Sequence, residues 1–232
     1  MPEETAIGTL RLSEPGNTVL GRDLCLKSGD VLETVNGRAF TGNEINLENR
    51  FREANKGPLA LGFRRGDASF TVLAASHRLG YWIETKVPAN VTENTINPLV
   101  LRNWEILADQ NEVYDIQPLS PGILALIAPP FWLLQMRLWI PGAALFAAAM
   151  VALSVSPIMF TAVYLASGLH IWHAGPRYFR KDRKARGMTP LLVVAAPSEK
   201  AAHAALRRVH PNAVFAFSPP AEKAEGSEAT SQ

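Results

Sequence analysis

Residues 138–172 read LWIPGAALFAAAMVALSVSPIMFTAVYLASGLHIW, 35 positions without a single Lys, Arg, Asp or Glu. A membrane-spanning helix needs about 20 apolar residues, with a range of roughly 17 to 25, so the run is too long for one such helix. Ser154, Val155, Ser156 and Pro157 interrupt it near its centre, and proline disfavours helix at the residue before it. The sequence therefore predicts a transmembrane helical hairpin over 138–173, with arms at 138–153 and 157–172 joined by a tight uncharged turn. Each arm is about 24 Å long at helical rise, so local bilayer thinning would have to absorb a mismatch.

Working outward, Arg137 precedes the run, and Arg177, Arg180, Lys181, Arg183, Lys184 and Arg186 follow it. Basic residues favour the cytoplasmic side, which puts both termini there and makes 174–187 a basic cytoplasmic flank. Anionic lipid headgroups are a secondary partner on the same electrostatics. Trp132, Trp139 and Trp172 join these basic residues as membrane-interface anchors, because an indole buries its ring there while hydrating its N–H. Ala144, Ala148 and Ala152 on the first arm, and Ala162 and Ala166 on the second, offer smooth faces for packing within the hairpin or for pairing two copies. Upstream, residues 120–137 are also apolar, but Pro129 and Pro130 interrupt them. The sequence predicts an interfacial or re-entrant segment there, with a third span as the alternative.

The net charge of +2 is the sum of unequal parts. Residues 1–76 carry 9 basic against 10 acidic side chains and residues 77–136 carry 3 against 6, while 137–187 carry 7 against one. A mildly acidic amino-terminal half argues against nucleic acid as a partner. The single cysteine, Cys25, excludes an intrachain disulfide and any cysteine cluster, and its default role is that of a buried structural thiol.

Residues 26–37 read LKSGDVLETVNG, a Gly29-Asp30 turn, an alternating strand from Val31 to Val35, and an Asn36-Gly37 turn. Residues 44–54 suit a helix, and 59–64 and 69–73 suit strands around a Gly66-Asp67 turn. This pattern resembles a PDZ domain over residues 6–75, in a degenerate form that lacks the glycine-rich carboxylate loop. The resemblance implies peptide binding by strand addition, with Ile7, Gly8, Thr9 and Leu10 in place of that loop and Leu47 and Phe51 on the groove helix. A small β-rich module used only for assembly is the other reading.

Residues 77–119 read as a mostly irregular connector with a short strand from Val113 to Ile116. Beyond the hairpin, residues 188–218 show a β-α-β pattern in which Ser198 caps the helix and Pro211 closes it, and 219–232 form a polar, disordered tail. The stretch from Pro129 to Trp139, followed by an apolar hairpin and a basic flank, resembles a family of small bacterial inner-membrane proteins over 120–187. That resemblance implies a bacterial inner-membrane location and no catalytic residues. The expected fold class is thus α+β with membrane helices: a PDZ-like module, a two-helix transmembrane hairpin and a β-α-β segment.

Catalytic patterns are missing. The chain contains no Gly-x-Gly pair, no phosphate-cradling Gly-Lys-Ser/Thr loop, no His-Glu-x-x-His and no Gly-x-Ser-x-Gly. His170 and His173 share a helix face and could in principle hold a metal or a haem, but no partner histidine lies on the first arm. No catalytic residue, cofactor or metal site is expected. The functional expectation is a non-enzymatic, membrane-anchored adaptor or assembly factor that presents a protein-binding module to a membrane-protein partner, with a homo-oligomer as a further option. The alternative is a regulatory subunit of a membrane protease or transporter that recognises a peptide tail.

Overall fold

The structure, a computed structural model, describes residues 6–55, 57–88 and 94–218. The expected tail at 219–232 lies outside the described residues. The first sheet is built from β1 (Ala6–Ser13), β2 (Val31–Val35), β3 (Arg38–Ala39), β4 (Leu59–Arg65), β5 (Ala68–Ala74) and β6 (Tyr81–Pro88), with the short helix α1 (Val19–Asp23) after β1 and α2 (Glu44–Glu53) between β3 and β4. Its strand order is β5-β4-β2-β1-β6, with β3 added beside β2.

Local chemistry sets these elements. Asn36 and Gly37 take the positive φ values, 52° and 79°, that close the β2–β3 hairpin. Asn43 caps α2 in a reciprocal pair with Asn46, and Leu47 and Phe51, one turn apart, drop into the core. Asp30 is fully buried and takes both arms of the Arg65 guanidinium, Nε to Oδ1 and Nη2 to Oδ2 at 2.7 Å each. The fork geometry satisfies a carboxylate that would otherwise be costly to bury.

The second sheet contains β7 (Arg102–Ala108), β8 (Val113–Pro118), β9 (Thr189–Ala196) and β10 (Val214–Phe215), in the order β10-β8-β7-β9. Four helices lie between β8 and β9, namely α3 (Leu124–Ile127), α4 (Pro129–Gln135), α5 (Trp139–Val155) and α6 (Pro157–Ala185), and α7 (Glu199–Val209) lies between β9 and β10. One apolar core joins the sheets, running from Leu10, Leu32 and Phe63 to Ile106, Leu192 and Leu206. Asn103 stitches them directly: its Oδ1 accepts from the Leu73 amide and its Nδ2 donates to the Leu73 carbonyl, both at 2.8 Å.

Two sheets and seven α-helices, among the described residues, make an α+β fold in which no helix is long and apolar enough to cross a membrane. The expected transmembrane hairpin is thereby corrected, and with it the membrane helices in the fold class and the inner-membrane location. The reason is length and charge. α5 has 17 residues, about 26 Å against a hydrocarbon core of about 30 Å. α6 is longer, 29 residues, but continues through Pro176 into the basic segment, so its apolar part ends near the middle. Ser156 separates the two helices; its hydroxyl accepts from the Ile158 amide and Pro157 takes the first helical position.

The connector, expected to be mostly irregular with one short strand from Val113 to Ile116, contributes that strand as β8 and two more, β6 and β7. β6 pairs with β1 along its whole length, from Ala6 opposite Pro88 to Ser13 opposite Tyr81. In the carboxy-terminal segment, β9 and β10 do not pair with each other; β9 lies antiparallel to β7, and β10 parallel to β8.

Candidate functional site

The helical hairpin grows from a small base. α3 and α4 pack against α6 with so little space that two glycines of α6 are required. A Cβ on Gly168 would come within 2.4 Å of the Leu126 carbonyl oxygen, and one on Gly175 within 2.6 Å of the Trp132 ring. Trp132, Leu133, Leu138, Ala125 and Ile171 form the apolar cluster at this base. Trp132 is therefore a buried packing residue and not an exposed anchor. The close face of α5 runs through Gly142, Ala149 and Ala152, whereas Ala144 and Ala148 are exposed.

Above the base the hairpin is open. Ile140 is 86% exposed, Ile158 82% and Trp139 65%. Leu153, Phe146, Trp139, Met150, Val151 and Val155 are all exposed and, at about 100° per residue, cover about 200° of the α5 circumference. Solvent-facing apolar patches of this extent mark interaction surfaces.

Below the base, two of the expected basic anchors turn inward. Arg180 donates from Nε to both oxygens of Glu105, whose carboxylate is fully buried and also accepts from Gln117 Nε2 at 2.6 Å. Arg183, 1% exposed, donates from Nε to Asp115 Oδ2 at 2.6 Å and from Nη1 to Asp182. Its guanidinium lies 4.4 Å over the Phe179 ring. Arg137 reaches the same Asp115 at 3.7 Å and covers the Phe217 ring at 3.5 Å. Trp172, Arg177, Lys181, Lys184 and Arg186 stay on the surface. Sequence reasoning missed the inward arginines because their partners Glu105 and Asp115 lie more than sixty residues away. The signal was the pair of acids within otherwise strand-like stretches.

Of the residues expected to bind a peptide, Leu47, Phe51, Thr9 and Leu10 are buried. Thr9 donates its hydroxyl to the Leu32 carbonyl. β1 lies between β2 and β6: the backbones of Ile7, Gly8 and Thr9 lie opposite Val87, Lys86 and Thr85 of β6, while its pairing with β2 is confined to Arg11 opposite Val31. On the β6 side the chain itself already supplies the added strand. His170 Nε2 pairs with the Tyr178 hydroxyl at 2.8 Å and His173 Nδ1 lies 2.9 Å from the Leu169 carbonyl, and no group of three or more metal-ligating side chains occurs among the described residues. Burial, with the Glu105 charge adding to it, pushes the Cys25 thiol up to about 11 against the pull of Arg180 and Arg65. That thiol is inert at neutral pH.

These features define an α+β body of two joined sheets that carries an exposed apolar helical hairpin on a charged, buried base. No family model, curated protein or solved structure matches the chain. The resemblances to PDZ domains over 6–75 and to small inner-membrane proteins over 120–187 are therefore not supported.

Proposed function

We propose that this chain is a non-enzymatic adaptor or assembly factor whose docking element is the α5–α6 hairpin, and that its partner is a different protein presenting apolar helices that enclose the hairpin. The supporting observation is the exposure of large apolar side chains around more than half of α5 and along α6. Covering one such side chain fully is worth about 1.5–3 kcal/mol. A second copy, meeting the first across a two-fold axis, would cover one side and leave the opposite arc in water. An enclosing partner covers both. The lack of any charge over 138–172 fits a partner surface that is apolar throughout. The peptide-tail reading has less support, because β6 already occupies one edge of β1 along its whole length.

The test compares the full chain with a version carrying Ile140→Ser, Val151→Ser and Ile158→Ser, each sedimented from an aqueous extract of its own cells. The expected result is a particle of this chain plus one other protein for the unaltered sequence, and the free, folded chain for the variant. A particle containing only copies of this chain, or identical sedimentation of the two sequences, overturns the proposal.

A further inference from the structure

β6 is an edge strand. β1 takes one side of it, in an unbroken ladder from Ser13 opposite Tyr81 to Ala6 opposite Pro88, and among the described residues no strand takes the other. β5, at the opposite edge of the same sheet, packs against β9 and α7. With 8 residues, β6 exceeds the usual strand length of about 5–6. A long, regular, open edge is a template for pairing with another strand. No bulge interrupts this one, and no proline precedes its last residue.

The charges on β6 make that template specific. Glu84 and Lys86 are exposed, and neither holds an ion pair among the described residues. They flank Thr85 and, two residues apart, share one face of the strand. Two copies of β6 meeting antiparallel across a two-fold axis must be centred on a single residue, because residues directly opposite each other share a face of the sheet. Centred on Thr85, the pairing sets Glu84 of each copy opposite Lys86 of the other. Centred on Glu84 or on Lys86, it sets like charges face to face at the axis. The strand is therefore complementary to itself in the Thr85 register and repulsive in the two beside it.

We propose that β6 is a dimerisation edge, to which a second copy of this chain adds its own β6 antiparallel in the register centred on Thr85. Two opposite-charge pairs and one Thr–Thr pair across the strands favour the contact, and the outward amides and carbonyls of β6 gain partners. The assembly closes at two copies, since each chain offers this edge once. It does not rest on the hairpin, which lies between strands of the second sheet, so a second copy and an enclosing partner would occupy different parts of the molecule.

The register is tested by oxidising the full chain carrying Thr85→Cys or, separately, Ile83→Cys, and reading two-chain disulfides on a non-reducing gel. Residues directly opposite have Cα atoms about 4.5–5.5 Å apart, within disulfide reach. The two copies of position 83 would be offset by four residues, more than about 13 Å. Expected is at least about tenfold more cross-linked dimer from Thr85→Cys than from Ile83→Cys, and none from the unaltered chain. The charges are tested by sedimentation equilibrium on the chain with the three hairpin serines, so that hairpin contacts do not contribute. Glu84→Lys should raise the dimer dissociation constant by about tenfold or more, and adding Lys86→Glu to it should restore the constant to within about threefold. A monomer at concentrations up to about 100 μM, equal cross-linking at positions 83 and 85, or no recovery in the double reversal overturns the proposal.

Discussion

The Nε of Arg180 lies 2.7 Å from Glu105 Oε1 and 2.9 Å from Oε2, so a single donor is shared by both oxygens of a fully buried carboxylate. This pair fastens the far half of α6 to the middle of β7. Asp23 also faces Arg180, at 3.5 Å, but is half exposed. Removing the buried acid by Glu105→Ala leaves Gln117 and Arg180 without their acceptor and is expected to cost about 3–5 kcal/mol. Asp23→Ala should cost less than about 1 kcal/mol. Urea unfolding of the two variants measures the difference.

The glycines of the hairpin base are expected to rank by what a methyl group would meet. At Gly168 the obstacle is the Leu126 backbone, at 2.4 Å, whereas at Gly142 it is the end of the Leu134 side chain, at 3.0 Å. Backbone cannot step aside, so Gly168→Ala should destabilise by about 2–3 kcal/mol. At Gly142 the gain in helix propensity, up to about 1 kcal/mol, opposes a small clash, and Gly142→Ala should be near neutral. Thermal unfolding followed by tryptophan fluorescence reads both.

The Cys25 thiol gives the protein an alkaline limit. With its folded value raised to about 11 from 9.0, the folded state holds a proton that the unfolded state releases. The associated stability is complete below pH 9 and is lost as pH rises toward 11, by about 3 kcal/mol in all. Cys25→Ser should flatten this part of the stability profile. At pH 8 iodoacetamide should label Cys25 only after unfolding.

Asn103 is expected to hold the sheet junction. Asn103→Ala removes both hydrogen bonds to Leu73 and should cost about 1–3 kcal/mol. The Leu73 amide should then lose its protection in hydrogen exchange, while amides in β2 keep theirs.

What could be read from the sequence was local. The alternating Val31–Val35 strand and the Asn36-Gly37 turn lie where their residues place them, and the structure has helix at Glu44–Glu53 and strands at Leu59–Arg65 and Ala68–Ala74, close to the stretches singled out. Pairings between distant segments were not legible. β6 has exposed apolar side chains at Tyr81 and Ile83, a pattern without a local sign of its partner β1. The hairpin shows the same limit in another form. Its lack of charge and its break at Ser156-Pro157 were plain, but nothing in the apolar stretch marks where its second helix stops. The continuation of α6 to Ala185 depends on Glu105 and Asp115 receiving Arg180 and Arg183. Arg180 and Arg183 were read as membrane-interface anchors for the same reason.

The exposed hairpin is tested most directly by photo-crosslinking in the cells that make this protein, with a benzophenone amino acid placed separately at Ile140 and at Ile158. Ile45, an exposed residue of α2, serves as the control. Adducts from both hairpin positions to one and the same second protein, with none from position 45, are the expected result. Adducts only to another copy of this chain, adducts only to lipid, or no adduct at either hairpin position would contradict a docking role for the hairpin.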